Sequence, residues 1–149
     1  EVIYLDTSAP ELHDPRGQVS SEQLNFLEEK LDAVDQAVVF THHPLHYQPL
    51  EDNDWFKGYP ELAFCGNKGS VHDVIDKTGT ETVVVSGHLH EAGHWLHEGT
   101  DHFSIGPFNK ESPGAGVAGV FAEMEIESGL DIRIVSHKLT RQYSINWSD

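Results

Sequence analysis

Two short runs of apolar residues in this chain are continuous rather than alternating, and they limit the possible folds most. Ala37-Val38-Val39-Phe40 and Thr82-Val83-Val84-Val85 both lack the regular polar residue that a half-exposed strand carries at every second place. Strands that are buried on both faces have this composition, and they are typical of parallel sheets covered by helices. The two runs therefore predict an α/β fold built around a buried sheet.

Segments with helical periodicity precede each of these runs. Ser20 and Gln23 have the spacing of a capping box, and apolar residues recur at about helical spacing after them. Residues 69–78 form a second helical segment, and Gly79 is a typical residue to end it. A short strand is also predicted over residues 2–7. The first half of the chain thus alternates between strand and helix.

The second half has a different pattern, with short β-like runs separated by Gly and Pro. These runs lie at about 92–97, 101–105, 117–126 and 130–138. Ser128-Gly129 is a plausible hairpin turn between the last two of them. Strand–helix alternation followed by a β-meander is therefore the predicted organisation, without an internal domain boundary.

A long irregular segment runs from Pro44 to about Lys68 and is rich in Pro, Gly, Asn and Asp. It contains three aromatic residues, Trp55, Phe56 and Tyr59. Long loops within a domain are uncommon unless they are functional, so this one is a candidate lid or substrate rim. A surface insertion that its aromatic residues anchor is the equal alternative.

Charge and length exclude several classes of function. The 149 residues suit one domain, and 25 acidic against 9 basic residues give a formal net charge of −16. Such a charge repels nucleic acid and anionic lipid, so we expect neither as a partner. Acidic residues that are dispersed along the chain also suit a surface adapted to concentrated salt, because salt screens their repulsion. A merely acidic protein is the alternative.

The location of the protein is weakly constrained by its sequence. Cys65 is the only cysteine, which excludes an internal disulfide and fits a reducing cytoplasm. No apolar stretch approaches the roughly 20 residues that span a bilayer. The chain starts at Glu1 and its only methionine is Met124, so we expect that residues preceding Glu1 are missing.

Histidines follow both predicted buried strands. His42 and His43 come directly after the first run, and His88 and His90 come after the second. Sheets of α/β proteins place their sites where such strands end. In an extended segment, residues two apart point to the same side, so His88 and His90 would offer two imidazoles together. Because imidazole binds Zn, Fe and Mn, a shared metal site is favoured over two surface pairs.

These residues resemble the last two motifs of the calcineurin-like metallophosphoesterases, where one strand precedes His-x-Pro and a later strand precedes Gly-His-x-His. The motifs stand here as His42-His43-Pro44 and Gly87-His88-Leu89-His90, and the resemblance runs over about residues 2–137. The approach to the first motif is similar as well, in Leu5-Asp6-Thr7, Gly17, Ser21-Glu22-Gln23-Leu24 and Leu27. The resemblance implies half of a four-layer α-β-β-α sandwich, in which residues 1–149 form the C-terminal part of one metallophosphoesterase domain.

The resemblance also implies hydrolysis of phosphate mono- or diesters at two divalent or transition ions, Mn, Fe or Zn. By it, His42 and His88 would bind one ion and His90 the other, whereas His43 would be a neighbour. The family's earlier motifs, which supply the bridging aspartate and the proton donor, are not found in this sequence. Gly66-Asn67-Lys68 only begins like one of them. The isolated chain is therefore expected to be inactive, and the missing N-terminal half is an expected partner.

The remaining histidines are weaker candidates. His46 is a possible contact for substrate phosphate, and His94, with His97 and His102, could line the pocket. Surface positions are predicted for three others, His13, His72 and His137.

Two other families and a function without catalysis are alternatives to this resemblance. Cupins and metallo-β-lactamases also contain His-x-His, but Ala92, Gly93 and His94 do not match what either family has after it. A non-catalytic fragment or metal-binding module stays open as the alternative, and so does a single-metal cupin-like protein.

Overall fold

A five-stranded sheet forms the centre of the molecule. In the computed structural model, which describes residues 1–8, 16–107, 119–136 and 140–147, its strands are β1 (Val2–Tyr4), β2 (Gln36–Phe40), β3 (Glu81–Ser86), β4 (Gly93–His97) and β5 (Thr100–Ser104). They lie in the order β1-β2-β3-β5-β4, and all neighbours are parallel except β4 and β5. The predicted α/β class is confirmed, with the two Val-rich strands β2 and β3 side by side.

Two helices cover one face of this sheet. They are α1 (Ser21–Leu31) and α2 (Lys68–Thr78), and a short 3₁₀ helix spans Pro60–Leu62. Leu27, Leu31, Val71 and Ile75 from the helices pack with strand residues in one buried cluster. Gly79 ends α2 in the left-handed conformation with a φ of 66°. Neither helix is long and apolar enough to cross a membrane.

The capping box predicted for α1 is only half formed. The hydroxyl of Ser20 accepts a hydrogen bond from the backbone N–H of Gln23 at 3.3 Å. The Gln23 side chain, however, pairs with the backbone of Asp6, where its oxygen accepts at 2.7 Å and its amide donates at 2.8 Å. Gln23 therefore ties the end of β1 to α1 instead of returning to its own cap.

The first strand is also shorter than the predicted residues 2–7. The pairing with β2 continues for one bond, from the N–H of Leu5 to the carbonyl of Phe40 at 2.9 Å. Then the carboxylate of Asp6 accepts a hydrogen bond from the N–H of Ser8, which turns the backbone. An Asx turn thus ends the strand.

A second, antiparallel sheet covers the other face of the central sheet. It consists of β6 (Phe121–Ile126), β7 (Gly129–Val135) and β8 (Thr140–Asn146). Apolar residues of both sheets share one core, among them Val83, Val85, Phe103, Leu130 and Ile132. The described layers are thus helix, sheet and sheet, which are three of the four layers in an α-β-β-α sandwich.

The predicted meander needs two corrections. Only β6, β7 and β8 form one, because the earlier two runs join the central sheet as the hairpin β4–β5. Strand β8 was not predicted, since its exposed alternate positions are polar and it carries few apolar residues. The ends of the predicted runs at 117–118 and 137–138 lie outside the described residues.

The long segment after β2 is anchored rather than loosely attached. Leu45, His46 and Gln48 are at most 1% exposed. The side-chain oxygen of Asn53 accepts hydrogen bonds from the N–H groups of Trp55 and Phe56, both at 3.0 Å. Fixed in this way, the segment can hold its aromatic residues in place around a site.

Candidate metal centre

Three histidines meet at the carboxyl ends of β2 and β3. One ring nitrogen from each of His42, His43 and His88 lies within 4.8 Å of the others. Pairing of the two strands continues into the site, with a backbone hydrogen bond of 3.1 Å from Gly87 to the carbonyl of His42. As the sequence predicted, neighbouring buried strands bring His42 and His88 together. Their role as metal ligands stays a prediction.

The ring of His88 is oriented by a backbone carbonyl. Its Nε2 lies 3.0 Å from the oxygen of Leu62, which can only accept, so Nε2 carries the proton. The lone pair of His88 is then on Nδ1, which lies 3.1 Å from Nε2 of His42. Two nitrogens bound to one ion at about 2.1 Å would be about 3.0 to 3.4 Å apart. The ring nitrogens of His42 and His88 thus have the spacing of two metal ligands, and the hydrogen bond from His88 to Leu62 is of the kind that orients such a ligand.

His43 is held from two sides although the resemblance gives it no ligand role. Its Nδ1 lies 2.9 Å from the hydroxyl of Thr7, which also accepts the backbone N–H of His43 at 3.0 Å. Gly17 approaches the other side so closely that an added Cβ would be 2.3 Å from the His43 ring. The structure therefore adds His43 to the cluster and explains why glycine is needed at position 17.

We expect Gly17→Ala to displace the His43 ring, because no neighbouring atom can occupy space 2.3 Å from a Cβ. Overpacking of this kind costs about 1 to 3 kcal/mol of unfolding free energy, which urea titration measures. Gly69→Ala in α2 is the matched control, since nothing lies within 4 Å of its added Cβ and alanine favours helix. Wild-type stability of Gly17→Ala would contradict this account.

The segment that carries His88 and His90 is not extended, contrary to the sequence-based expectation. His88 has a φ of 64° and His90 a φ of 55°, so both adopt the left-handed conformation. A hydrogen bond of 2.7 Å from the N–H of Leu89 to the carbonyl of Gly87 closes a tight turn. Left-handed backbone at residues other than glycine is strained and is common at functional sites. The fully buried Leu89 fixes the turn between the two histidines.

Aromatic residues of the long loop border the site. The ring of Phe56 lies 4.8 Å from that of His88, and the ring of Trp55 lies 4.7 Å from that of His90. Trp55 is 49% exposed, so it forms part of the surface next to the exposed His90. These contacts favour the interpretation of this segment as a rim of the site.

A network of amide groups ties the histidine turn to the same loop. One carboxylate oxygen of Glu91 accepts hydrogen bonds from Gln48 and Asn53, both at 3.3 Å. Asn53 also donates to the carbonyl of Leu89 at 3.0 Å. No local motif indicates which loop atoms will face the turn, so the sequence did not predict the roles of Glu91, Asn53 and the carbonyl of Leu62.

Burial keeps the clustered imidazoles neutral. It lowers the pKa of His43 to about 4, and the nearby rings of His88 and His42 contribute to that shift. Burial also lowers the pKa values of His42 and His88, with a smaller effect from the neighbouring histidines. Neutral imidazoles have the lone pairs that a metal ion needs, so the cluster can bind one near pH 7.

The other candidate histidines lie elsewhere. His46 is fully buried and stacks on Trp95, with ring centroids 4.7 Å apart. His94 is hydrogen-bonded to Asp101 and stacks on Phe103.

Among the histidines predicted to lie on the surface, only His72 falls within the described residues. It is 4% exposed, so that prediction was wrong. It occupies the buried side of α2 next to Val71, and one residue type does not reveal which side of a helix it faces. His13 and His137 lie outside the described residues.

Among the solved structures that are similar to this chain are two with a TM-score above 0.6. One is a dimetal phosphatase from Danio rerio, with 19% sequence identity and a TM-score of 0.63, and the match covers 89% of this chain and 40% of that one. The other is GAP50, the anchor in the inner membrane complex of Plasmodium, with 15% identity, a TM-score of 0.62, and coverage of 99% and 49%. No protein-family model and no curated protein sequence matches the chain.

The chain therefore spans less than half the length of either structure. At such identities the likeness shows the fold alone, and a shared fold does not decide chemistry. The chemistry has to come from the residues of the site.

Proposed function

We propose that this chain, which has the calcineurin-like metallophosphoesterase fold, contributes half of a two-metal site that hydrolyses phosphate esters. One observation supports the proposal most. His42 and His88 face each other with 3.1 Å between ring nitrogens, and the other nitrogen of His88 is held by a backbone carbonyl. This is the way proteins orient imidazoles toward an ion.

The donor set fits a transition ion. Imidazole nitrogens suit Zn, Mn or Fe, and the burial of His43 and His88 keeps their rings neutral. When bound, such ions stabilise negative charge on phosphoryl oxygens and make water acidic enough to act near neutral pH.

Each residue of the cluster has a distinct task in this proposal. His42 and His88 hold one ion, and His90, which points toward Trp55, holds the second. His43 lines the site and is fixed by Thr7 and Gly17. Because they stand next to His88 and His90, Phe56 and Trp55 exclude water from one side of the substrate and limit its size.

Further ligands have to come from outside these residues. Within the described parts of the chain, the group formed by His42, His43 and His88 includes no carboxylate, although a two-metal centre needs negative charge to balance its ions. Strand β1 is an edge of the central sheet and its Tyr4 is 72% exposed. We propose that another part of the protein packs beside β1 and supplies the missing carboxylates.

A non-catalytic role is the second candidate. It is favoured by the same lack of a carboxylate among the described ligands, and a protein described as an anchor has a similar fold. In that case the chain would bind metal or a partner without turnover.

Metal-dependent hydrolysis distinguishes the two candidates. The protein with any residues that precede Glu1 should hydrolyse bis-p-nitrophenyl phosphate or p-nitrophenyl phosphate when loaded with Mn²⁺. We expect EDTA to abolish this activity and Mn²⁺ to restore it, whereas the 149 residues alone should show none. Metal binding without turnover by the longer protein would favour the non-catalytic role. Turnover by the 149 residues alone would contradict the proposal that another part of the protein supplies the carboxylate ligands.

A further inference from the structure

Four other histidines gather where the β4–β5 hairpin meets α2 and the loop after β2. This second histidine cluster consists of His46, His72, His97 and His102. The ring of His102 lies 5.2 Å from those of His46 and His72, and the ring of His97 lies 4.9 Å from that of His72. Nothing in the proposed hydrolysis uses these side chains.

His102 occupies a place where the sheet would normally have an apolar residue. It lies in one cross-strand row with Val39, Val84 and Trp95, on the face that the helices cover. Its side chain is fully buried, and neither ring nitrogen has a hydrogen-bond partner among the described residues. Burial of unpaired polar atoms costs free energy of folding, so such an imidazole indicates an interaction with a group outside the described residues.

Two neighbouring histidines present a free nitrogen in the same way. Nε2 of His72 donates to the carbonyl of Leu45 at 3.0 Å, which leaves a lone pair on Nδ1. Nε2 of His46 lies 3.0 Å from the side-chain oxygen of Gln48, whose amide donates to Glu91. Both Nδ1 atoms are buried and lack a partner within the described part of the chain. Imidazoles that ligate metals typically have their other nitrogen bonded in this way.

The cluster reaches the surface at the hairpin turn. One ligand atom each from His72, His97 and Glu98 lie within 4.8 Å of one another. Glu98 has a φ of 50° and Gly99 a φ of 84°, which is a two-residue turn with both positions left-handed. Asn, Asp or Gly is preferred at the first position, so the strained Glu98 favours a functional reason for a carboxylate there.

We propose that these residues form a second, separate metal site for one transition ion of the Zn²⁺ class. His72, His97 and Glu98 are its ligands, and a water molecule would complete four-coordination, as it does at other sites where three side chains hold zinc. Mixed imidazole and carboxylate donors suit Zn²⁺, and the exposed Glu98 provides an entry path. Because the ligands come from α2 and from the β4–β5 hairpin, the ion would join the helix to the edge of the sheet.

This site lies at a different level of the sheet from the first. His97 of the second site pairs with Thr100, at the start of β5. Ser104, at the other end of β5, pairs with Ser86, which lies two residues before His88 of the first site. Four residue steps separate Thr100 from Ser104, which is about 13 Å along a strand. One ion cannot serve both groups.

The test measures the binding of Zn²⁺ and Co²⁺ to the longest available form of the protein. That protein carries His88→Asn, which removes a ligand from the first site so that the second site can be measured. Asparagine tolerates the left-handed backbone at that position. We expect one equivalent of Zn²⁺ after dialysis, the intense visible absorption of four-coordinate Co²⁺, and a rise in Tm. The rise should be about 5 to 10 °C when free Zn²⁺ is a hundred times its Kd.

Variants of the two ligands in the hairpin separate binding from folding. Adding Glu98→Asn should abolish the Zn²⁺-dependent rise in Tm but maintain or increase the Tm without metal, because asparagine suits the turn. His97→Ala should also abolish the rise. His94→Gln is the matched control on the same strand and should retain zinc, because its ring faces Phe103 and Tyr143 instead.

Three results would overturn the second site. The first is that the His88→Asn protein binds no zinc. The second is that neither Glu98→Asn nor His97→Ala weakens zinc binding. The third is that His94→Gln loses as much zinc binding as Glu98→Asn and His97→Ala do.

Discussion

Replacing His88 or His90 with alanine should lower phosphodiester hydrolysis by at least about a hundredfold in the protein that contains the complete site. In our proposal, each substitution removes a ligand of a different ion. Loss of a strong electrostatic stabiliser of a transition state typically has an effect of this size. The measurement is kcat/KM for bis-p-nitrophenyl phosphate with saturating Mn²⁺, together with the metal content of each variant.

His94→Ala is the comparison for these two variants. His94 also follows the Gly-His-x-His motif closely, but its ring contacts Phe103 and Tyr143, so its replacement should have a far smaller effect on the rate. An unimpaired His88→Ala enzyme would rule out the assignment of His88 as a ligand. A decrease in His94→Ala as large as in His88→Ala would point to a general loss of structure.

The metal-free protein should become less stable as the pH falls from 7 to 5. Burial lowers the pKa of His102 to about 2 and that of His43 to about 4, whereas both titrate near 6.5 in the unfolded chain. The unfolded state therefore binds more protons over this range, and the unfolding free energy decreases as the pH falls. His102 alone would contribute about 2 kcal/mol of loss at pH 5.

Urea unfolding in EDTA at several pH values measures this slope. His102→Leu should flatten it, because leucine does not titrate. The range stays above the reference pKa values of Asp and Glu, about 4, so that protonation of the many carboxylates does not mask the effect. A stability that is constant between pH 7 and 5 would show that these imidazoles are not buried and neutral as described.

Much of the fold could be predicted from the sequence because its signals are local. Two short Val-rich runs favour buried strands, and the helical spacing before each run favours a helix there. Once β2 and β3 are taken as parallel neighbours, His42 and His88 must leave the sheet at the same edge. The tertiary structure places them together there.

Other features depended on what lies opposite a residue, which no local pattern contains. His72 and His102 have polar side chains, and only the register of β5 against β3 and the packing of α2 place them in the interior. In the same way, the carbonyl of Leu62 became the partner of His88 only through the path of the loop.

The sequence by itself determined that β2 and β3 are buried, where the helices lie and which histidines follow these two strands, because burial and periodicity are properties of neighbouring residues. The tertiary structure alone decided the left-handed turn at His88 and His90 and the pairing of β5 with β3. It also decided the convergence of His72, His97 and Glu98. Those features arise from contacts between segments far apart in the chain, where the shape of one segment selects the conformation of another.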